Sequence, residues 1–309
     1  MAKHHRETAS LFKKLTAIAV VALCSPAWAQ TLYAVSVRTY SDPSYKGIEG
    51  SLYRVDPATA VTVLVAPLRL DGRDSIGLDG LAIHPKSGEF FGITARTAGL
   101  VPHSLVRLDP EKGTVSLIGN LGVSGSDISF DAEGTLFIWL PETSQIGRVD
   151  LETATVTVVG TPRPATAVSG GFKVRSSGVA LIAASGANGT LDSIDLKTGA
   201  ITASLPLKGA RYPELIAGLA ESANGTLLGV NTNGGTPALA DLVRIDVGTG
   251  QTTTIGPLPN DTDAIAFGPG VDAERSWDLA RWRSLLFTVL TVFAIGLVIV
   301  VGVNKLRRR

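Results

Sequence analysis

Short stretches of alternating apolar and polar residues fill most of the chain between residues 31 and 268, with turn residues between them. An apolar–polar alternation with a period of two predicts β-strands that bury one face. The apolar positions are rich in Val and Ile and the polar ones in Thr, which suits a pleated sheet. This part of the sequence therefore predicts an all-β structure made of many short strands.

The strands recur in a repeated unit. In each copy one strand ends at an aspartate, and a second strand rich in Thr and Val follows after a short turn. An aspartate at such a place accepts hydrogen bonds from the backbone N–H groups beyond it and stabilises the turn. The five aspartates are Asp56, Asp109, Asp150, Asp195 and Asp246. Arg54, Arg107, Arg148 and Arg244 stand two residues earlier on the same strand face, which predicts Arg–Asp pairs between strands.

A second motif precedes this one in each unit. Its copies begin at Leu81, Ile128, Phe172, Leu219 and Ile265, and a further strand follows each of the first four. The last copy lacks that strand, and the chain supplies it at its start, around Tyr33. Four strands per unit and five units predict a five-bladed β-propeller over residues 30–270, closed by pairing N- and C-terminal strands. Closure of this kind removes the exposed sheet edge.

These motifs resemble the YVTN-type and related repeats of secreted bacterial β-propellers, a superfamily with quinoprotein-like and lactonase-like members. The resemblance covers nearly all of residues 30–270. It implies the propeller architecture but no particular activity, because propellers carry many unrelated functions.

The two ends of the chain have different compositions. Residues 1–29 combine a basic region, an apolar core and the sequence Ala27-Trp28-Ala29, which predicts a secretory signal peptide cleaved before Gln30. Residues 285–303 contain no charge and predict a membrane-spanning helix, after a stalk at 271–284 and before a basic cytoplasmic tail at 304–309. The tail also resembles bacterial sorting tails of the PEP-CTERM kind, although their Pro-Glu-Pro signature is absent.

These segments predict a single-pass membrane protein whose propeller lies in the periplasm or the extracellular space. The net charge of the whole chain is +1, but residues 30–270 contain 17 basic and 23 acidic residues, a net charge of −6. A mildly acidic domain argues against binding nucleic acid. The expected partners are therefore an envelope protein, a glycan or a small ligand.

Three carboxylates are candidates for chemistry. Asp79, Asp127 and Asp263 stand at or just before the strands predicted to line the central channel. Convergent carboxylates can bind Ca²⁺, so calcium is the one cofactor that the sequence suggests. Two of them can also hydrolyse glycosides. The alternative is that each carboxylate accepts backbone hydrogen bonds where a loop enters a strand.

Three further residues are candidates for ligand binding. Lys173 occupies a position that holds Ala or Ser in the other four units, and Glu221 occupies one that is otherwise apolar. A charge in an apolar position is costly unless it is paired, so we expect Lys173 and Glu221 to face the channel or each other. His84 follows a channel strand, where a functional role and a solvated turn are both open.

The function that these patterns favour is a non-catalytic binding or scaffold module. The insertion at 38–51 and the loops at 67–78, 95–104 and 231–241 would form its variable surface. The alternative is a propeller hydrolase, lactonase-like or a glycosidase, that uses Asp79, Asp127 and Asp263 as its catalytic or metal-binding groups.

Overall fold

The computed structural model describes residues 30–37, 50–95, 98, 100–164, 170–184, 189–212 and 215–268. Strands and turns make up these residues, and no α-helix occurs among them. It follows that the described part of the chain holds no helix long and apolar enough to cross a bilayer. The signal peptide predicted at 1–29 and the stalk, membrane helix and tail predicted at 271–309 lie outside the described residues.

Five antiparallel sheets of four strands form the blades of a propeller, which confirms the predicted architecture. The innermost strands are β6 (Leu78–Ile83), β10 (Asp127–Phe130), β14 (Gly170–Val174), β18 (Ile216–Glu221) and β22 (Thr262–Gly268). The second strands are β1 (Thr31–Ser36), β7 (Phe90–Thr94), β11 (Leu136–Leu140), β15 (Val179–Ala184) and β19 (Leu227–Thr232).

The outer half of each blade is built from the repeated Asp-turn motif. The third strands are β2 (Ser51–Val55), β8 (Ser104–Leu108), β12 (Gln145–Val149), β16 (Thr190–Asp195) and β20 (Ala240–Ile245). The outermost strands are β3 (Thr62–Pro67), β9 (Thr114–Asn120), β13 (Val156–Val159), β17 (Ile201–Pro206) and β21 (Thr252–Leu258). A small hairpin of β4 (Arg69–Leu70) and β5 (Asp74–Ser75) extends one sheet, because β4 pairs in parallel with β9.

We number the blades from the one that joins both chain ends. Blade 1 has the strand order β22-β1-β2-β3, and blades 2 to 5 begin at β6, β10, β14 and β18. In blade 1, Leu32 pairs with Phe267 and Ala34 pairs with Ile265. The predicted closure by N- and C-terminal strands is therefore confirmed.

Apolar layers between neighbouring blades form the core. Leu81 of blade 2 packs with Tyr33 and Ala264 of blade 1, and Ala82 of blade 2 packs with Ile128 of blade 3. Because the inner strands are covered on both faces, their side chains are almost all buried, whereas the outermost strands alternate between exposed and partly buried positions. The burial of these layers is the main favourable term in folding.

The turn aspartates act as the sequence predicts. The Oδ1 atom of Asp109 accepts hydrogen bonds from the N–H groups of Glu111 at 2.9 Å and Lys112 at 3.1 Å. Asp56, Asp150, Asp195 and Asp246 make the same pair of bonds in their own turns. The five outer hairpins are therefore stabilised by the same short-range device.

Among the described residues, two of the four arginines expected to pair with aspartates lie over aromatic rings. Arg107 lies over the ring of Phe91 at 5.6 Å, and Arg148 lies over the ring of Phe137 at 5.8 Å. In each case the ring belongs to the residue directly opposite on the second strand. A guanidinium on an aromatic face is a favourable contact that also covers apolar surface.

Small residues allow the outer turns to approach the preceding blade. A Cβ atom at Gly250, whose φ is +73°, would lie 2.2 Å from the carbonyl oxygen of Pro206. Ala60 occupies the equivalent position in blade 1 with φ of 60°, and the residue opposite it is Gly256. Each of these two contacts therefore has a glycine on one side or the other.

The two ends of the propeller differ. The turn face carries the short hairpins that follow the inner and third strands. At the loop face the inner strands begin, the second strands end and the third strands begin, and the segments of sequence that connect second to third strands are 37–50, 95–103, 141–144, 185–189 and 233–239. The described strands on either side of the predicted variable loops at 38–51, 95–104 and 231–241 end or begin at this face.

Candidate functional site

The inner strands surround a narrow channel in which one position is occupied differently in one blade. At this position four blades have a residue with little or no side chain, namely Gly80, Gly171, Gly218 and Ala264. The remaining blade, blade 3, has Asp127 at this position, and Asp127 is only 1% exposed. The small residues let the strands approach closely, since a Cβ atom at Gly218 would lie 2.6 Å from the carbonyl oxygen of Asp263.

The carboxylate of Asp127 joins three blades. Its Oδ1 accepts a hydrogen bond from Ile128 N at 2.8 Å, and its Oδ2 accepts bonds from Phe172 N at 2.8 Å and Leu219 N at 3.4 Å. These N–H groups lie at the channel edge of β14 and β18, where no further strand can accept their hydrogen bonds. Asp127 therefore satisfies buried donors that the sheets leave unpaired.

Two serines extend this link between blades 3 and 4. Ser126 Oγ donates to the carbonyl oxygen of Gly170 at 2.9 Å, and Ser129 Oγ accepts from Val174 N at 3.0 Å. Side chains at the start of β10 and within it thus bond to the free edge of β14, much as a neighbouring strand would.

Opposing effects act on the pKa of Asp127. Complete burial raises the pKa well above its usual value, and the three N–H hydrogen bonds act in the opposite direction. Because N–H groups point at both oxygens, this carboxylate is surrounded by donors rather than by further oxygen ligands. Among the described residues, no group of three or more His, Cys, Asp or Glu side chains could hold a metal ion.

The other two candidate carboxylates lie elsewhere along their strands. Asp79 and Asp263 stand one position before the level of Asp127, next to register irregularities in blades 2 and 1. Both are partly buried and both take part in interactions. The three acids therefore do not occupy equivalent positions in their strands, since Asp79 and Asp263 lie at bulges and Asp127 lies one aligned position further along.

Lys173 also stands out from its sister blades. Its equivalents Ala82, Ser129, Ala220 and Ala266 are buried and small. The ammonium reaches back towards blade 3 and donates to Ser129 Oγ at 3.3 Å. Burial lowers the pKa of Lys173, while Glu221 and Asp127 act to raise it.

Glu221 has a partner that sequence reasoning missed. Its Oε1 accepts hydrogen bonds from Arg175 Nε at 2.7 Å and from the terminal Nη2 nitrogen at 2.6 Å. The Glu221 side chain is 7% exposed and the Arg175 side chain 26% exposed, so the pair is well shielded. Lys173 and Glu221 do interact electrostatically across blades 4 and 5, but the close ion pair belongs to Arg175.

His84 lies at the end of an inner strand on the turn face. Its Nδ1 accepts hydrogen bonds from Ser87 N at 3.0 Å and Lys86 N at 3.3 Å, and its ring meets Phe130 edge-on at 5.0 Å. Asp131 closes the equivalent turn of blade 3 in the same way. The side chain of His84 therefore caps this turn.

The loop face carries two exposed leucines. Leu100, in the loop at 95–103, is 59% exposed, and Leu239, in the loop at 233–239, is 44% exposed. They belong to blades 2 and 5, which flank blade 1 and its long loop at 37–50. Most of the other large apolar residues that are exposed, such as Val158 at 45%, lie on or beside the outermost strands.

No family model and no curated protein matches the sequence. Among solved structures, 423 chains match. A chain of the nidogen/laminin complex has a TM-score of 0.50 at 12% identity, with 78% of this chain and 98% of that chain covered.

Two further structural neighbours are less similar. A protein of unknown function from Bacteroides caccae gives a TM-score of 0.47 at 14% identity, with 77% and 98% covered. Hydrazine synthase of Kuenenia stuttgartiensis gives a TM-score of 0.38 at 12% identity. The match covers 66% of this chain and 59% of that chain. At such identities the likeness shows the fold alone.

Proposed function

We propose that this chain is a non-catalytic binding or scaffold module whose partner docks on the loop face. The observation that carries the proposal is that variation among the five blades is concentrated there. The outer hairpins of the turn face share one capping geometry, whereas the loops between second and third strands range from 141–144 to 37–50. In repeat proteins, insertions on one face commonly mark the binding surface.

The path of the chain supports this choice of face. Thr31 pairs with Gly268, so the chain enters and leaves the propeller at the turn face. In our proposal the signal peptide exports the propeller, and the apolar segment at 285–303 anchors it in the cell membrane. In the proposal the anchor follows β22 in the sequence, and β22 ends at the turn face, opposite the loop face.

The contacts in the channel favour binding over hydrolysis. Asp127 accepts three backbone hydrogen bonds and Glu221 accepts two from Arg175. A general acid or nucleophile needs a carboxyl group that can reach a substrate. Asp127, one of the three carboxylates that the hydrolase alternative uses, is instead engaged by backbone N–H groups of three blades.

The partner that we propose is an envelope protein or a glycan. The structural neighbour from the nidogen/laminin complex offers a precedent in which a chain of this fold belongs to a protein assembly. The resemblance of the repeats to YVTN-type secreted propellers is consistent with a place outside the cytoplasm. Leu100 and Leu239 are exposed in loops of this face and are suited to bury apolar area in an interface.

The test is affinity capture from envelope extracts with the wild type and three variants of the full chain in detergent. Leu100→Asp and Leu239→Asp place a charge in the proposed interface, and Val158→Asp places one at an equally exposed position on an outermost strand. We expect the first two to lose a partner that the wild type and Val158→Asp retain. Loss with Val158→Asp alone, or identical capture by all forms, would contradict the proposal.

A further inference from the structure

Gln30 stands directly before β1, and its side chain bonds to a different blade. Its Oε1 atom accepts a hydrogen bond at 2.6 Å from the backbone N–H of Ala223, which lies 193 positions later, in the hairpin between β18 and β19 of blade 5. Both residues are exposed, and among the described residues the Nε2 atom of Gln30 has no hydrogen-bond partner. The carbonyl end of this amide is therefore held and polarised, while its nitrogen end is free.

A glutamine with a free α-amino group can cyclise onto its own side chain. The α-amino nitrogen attacks Cδ and forms an N–C bond, the bond between Cδ and Nε2 breaks, and Nε2 leaves as ammonia with a proton from the α-amine. The product is the lactam pyroglutamate, and no co-reactant is consumed. Negative charge develops on Oε1 in the tetrahedral intermediate, so an N–H group that already donates to this oxygen lowers the barrier.

We propose that Gln30 is a modification site, where the mature chain is closed as pyroglutamate, and that the N–H of Ala223 promotes the cyclisation. The inference rests on the export in our proposed function, because cleavage before Gln30 supplies the α-amino group. The lactam retains the carbonyl oxygen that accepts from Ala223 N. Cyclisation thus removes the charged amino terminus and keeps the acceptor for the link between blades 1 and 5.

The turn that contains Ala223 allows the donor to be removed alone. Ala223 is the second residue of a turn in which Gly225 N donates to the carbonyl oxygen of Ser222 at 2.9 Å. Proline is favoured at this turn position and has no N–H group. The aligned position of blade 2 holds Pro85. Ala223→Pro should therefore keep the turn and lose the hydrogen bond to Gln30.

Mass spectrometry of the mature chain, purified whole and then digested with trypsin, tests the modification. We expect an amino-terminal peptide of residues 30–38 that is lighter by one ammonia than the unmodified sequence. A synthetic peptide of residues 30–38 with a free amine, taken through the same digestion, corrects for cyclisation during preparation. A chain that begins at Gln30 with its amine and amide intact would overturn the proposal and leave the export standing. A chain that begins elsewhere would overturn both.

The rate of ring formation tests the role of Ala223. The chain from Gln30 to Arg309 is released in detergent from a removable leader, and the loss of ammonia is followed with time. Ala132→Pro is the matched control, because it changes the equivalent turn of blade 3, away from Gln30. We expect wild type and Ala132→Pro to cyclise at the same rate and Ala223→Pro about tenfold more slowly, as for a lost hydrogen bond to a developing charge.

Wild type unfolded in urea gives a second measurement that does not depend on the folding of a variant. It should cyclise as slowly as Ala223→Pro, because unfolding separates Gln30 from blade 5. Equal rates in folded and unfolded wild type, or in Ala223→Pro and Ala132→Pro, would overturn the role of Ala223. None of these rates bears on docking at the loop face.

Discussion

Asp127 accepts a hydrogen bond from the backbone N–H of Leu219, 3.4 Å away, although the two residues are 92 positions apart in the sequence and lie in blades 3 and 5. One carboxylate therefore links strands of three blades. The contact is possible because the sister positions in the other blades are glycine or alanine. It ties together strands that share no sheet.

Replacing Asp127 with Asn tests this role. The amide has nearly the same shape, but its NH₂ group would face an N–H donor whichever way it is turned. We expect the free energy of unfolding to fall by about 2–3 kcal/mol, as for a lost hydrogen bond to a charged group. Asp131→Asn is the matched control, because one oxygen of Asp131 accepts both turn hydrogen bonds and Asn can do the same. Urea unfolding measures the free energy of unfolding of both variants. Equal losses would argue against a stabilising link between blades through Asp127.

Gly250→Ala tests the close approach between blades. Gly250 has φ of +73°, and its added Cβ would lie 2.2 Å from a backbone oxygen of Pro206. Gly225→Ala is the control, since φ is +82° there and no atom lies within 4 Å of the added Cβ. In both variants the free energy of unfolding falls by about 1 kcal/mol, because alanine is strained in a left-handed backbone conformation. We expect Gly250→Ala to lose a further 1–3 kcal/mol from overpacking, measured by thermal unfolding. Equal losses would mean that the turn can move away from Pro206.

Ala60 and Gly256 form the complementary contact. A Cβ atom at Gly256 would lie 3.1 Å from the Cβ of Ala60 and 3.1 Å from the carbonyl oxygen of Thr59. We expect Gly256→Ala to destabilise the wild type, and to do so less in an Ala60→Gly background. A double-mutant cycle should give a coupling energy of about 0.5–1 kcal/mol. If the two changes in unfolding free energy were strictly additive, the two positions would not interact.

Lys173→Met should stabilise the protein by about 1 kcal/mol near neutral pH, because it removes a charge from a partly buried position. The sign follows from the pKa of Lys173, which burial lowers. The folded state then binds fewer protons than the unfolded state above that lowered pKa, so wild-type stability rises as the pH increases towards about 10. The advantage of Lys173→Met should shrink over the same range. A constant difference across this range would contradict the account.

The turn aspartates predict acid sensitivity. Hydrogen bonds from Thr153 and Gly248 lower the pKa values of Asp150 and Asp246, and Thr198 lowers that of Asp195. A lowered carboxyl pKa adds stability that is complete above about pH 4 and is lost as the pH falls through the folded-state value. The triple replacement by Asn, which can still accept N–H bonds, should flatten the decline of unfolding free energy below pH 4. An unchanged decline would place the acid sensitivity in other carboxyl groups.

Repetition made the fold predictable. Five copies of one motif serve as controls for one another, so the blade count and the pairing of the Tyr33 and Ile265 strands could be read from sequence. The turn aspartates were equally readable, because their hydrogen bonds lie within three residues.

The channel was less predictable because its contacts cross blades. Glu221 and Arg175 are 46 positions apart in the sequence, and only the stacking of blades 4 and 5 joins them. Asp79 and Asp263 lie at bulges beside the aligned position of Asp127, and the alternation of residues alone does not reveal a bulge. Lys173 and Glu221 depart from their sister positions in the sequence, and the two residues interact electrostatically across blades 4 and 5.

Photo-crosslinking in living cells tests the loop-face proposal most directly. A photoreactive phenylalanine analogue is introduced singly at Leu100, Leu239 and Val158, and the adducts of the full chain are analysed by mass spectrometry. The account predicts that Leu100 and Leu239 yield the same partner and that Val158 does not. Adducts from Val158 alone, or from none of the three positions, would contradict it.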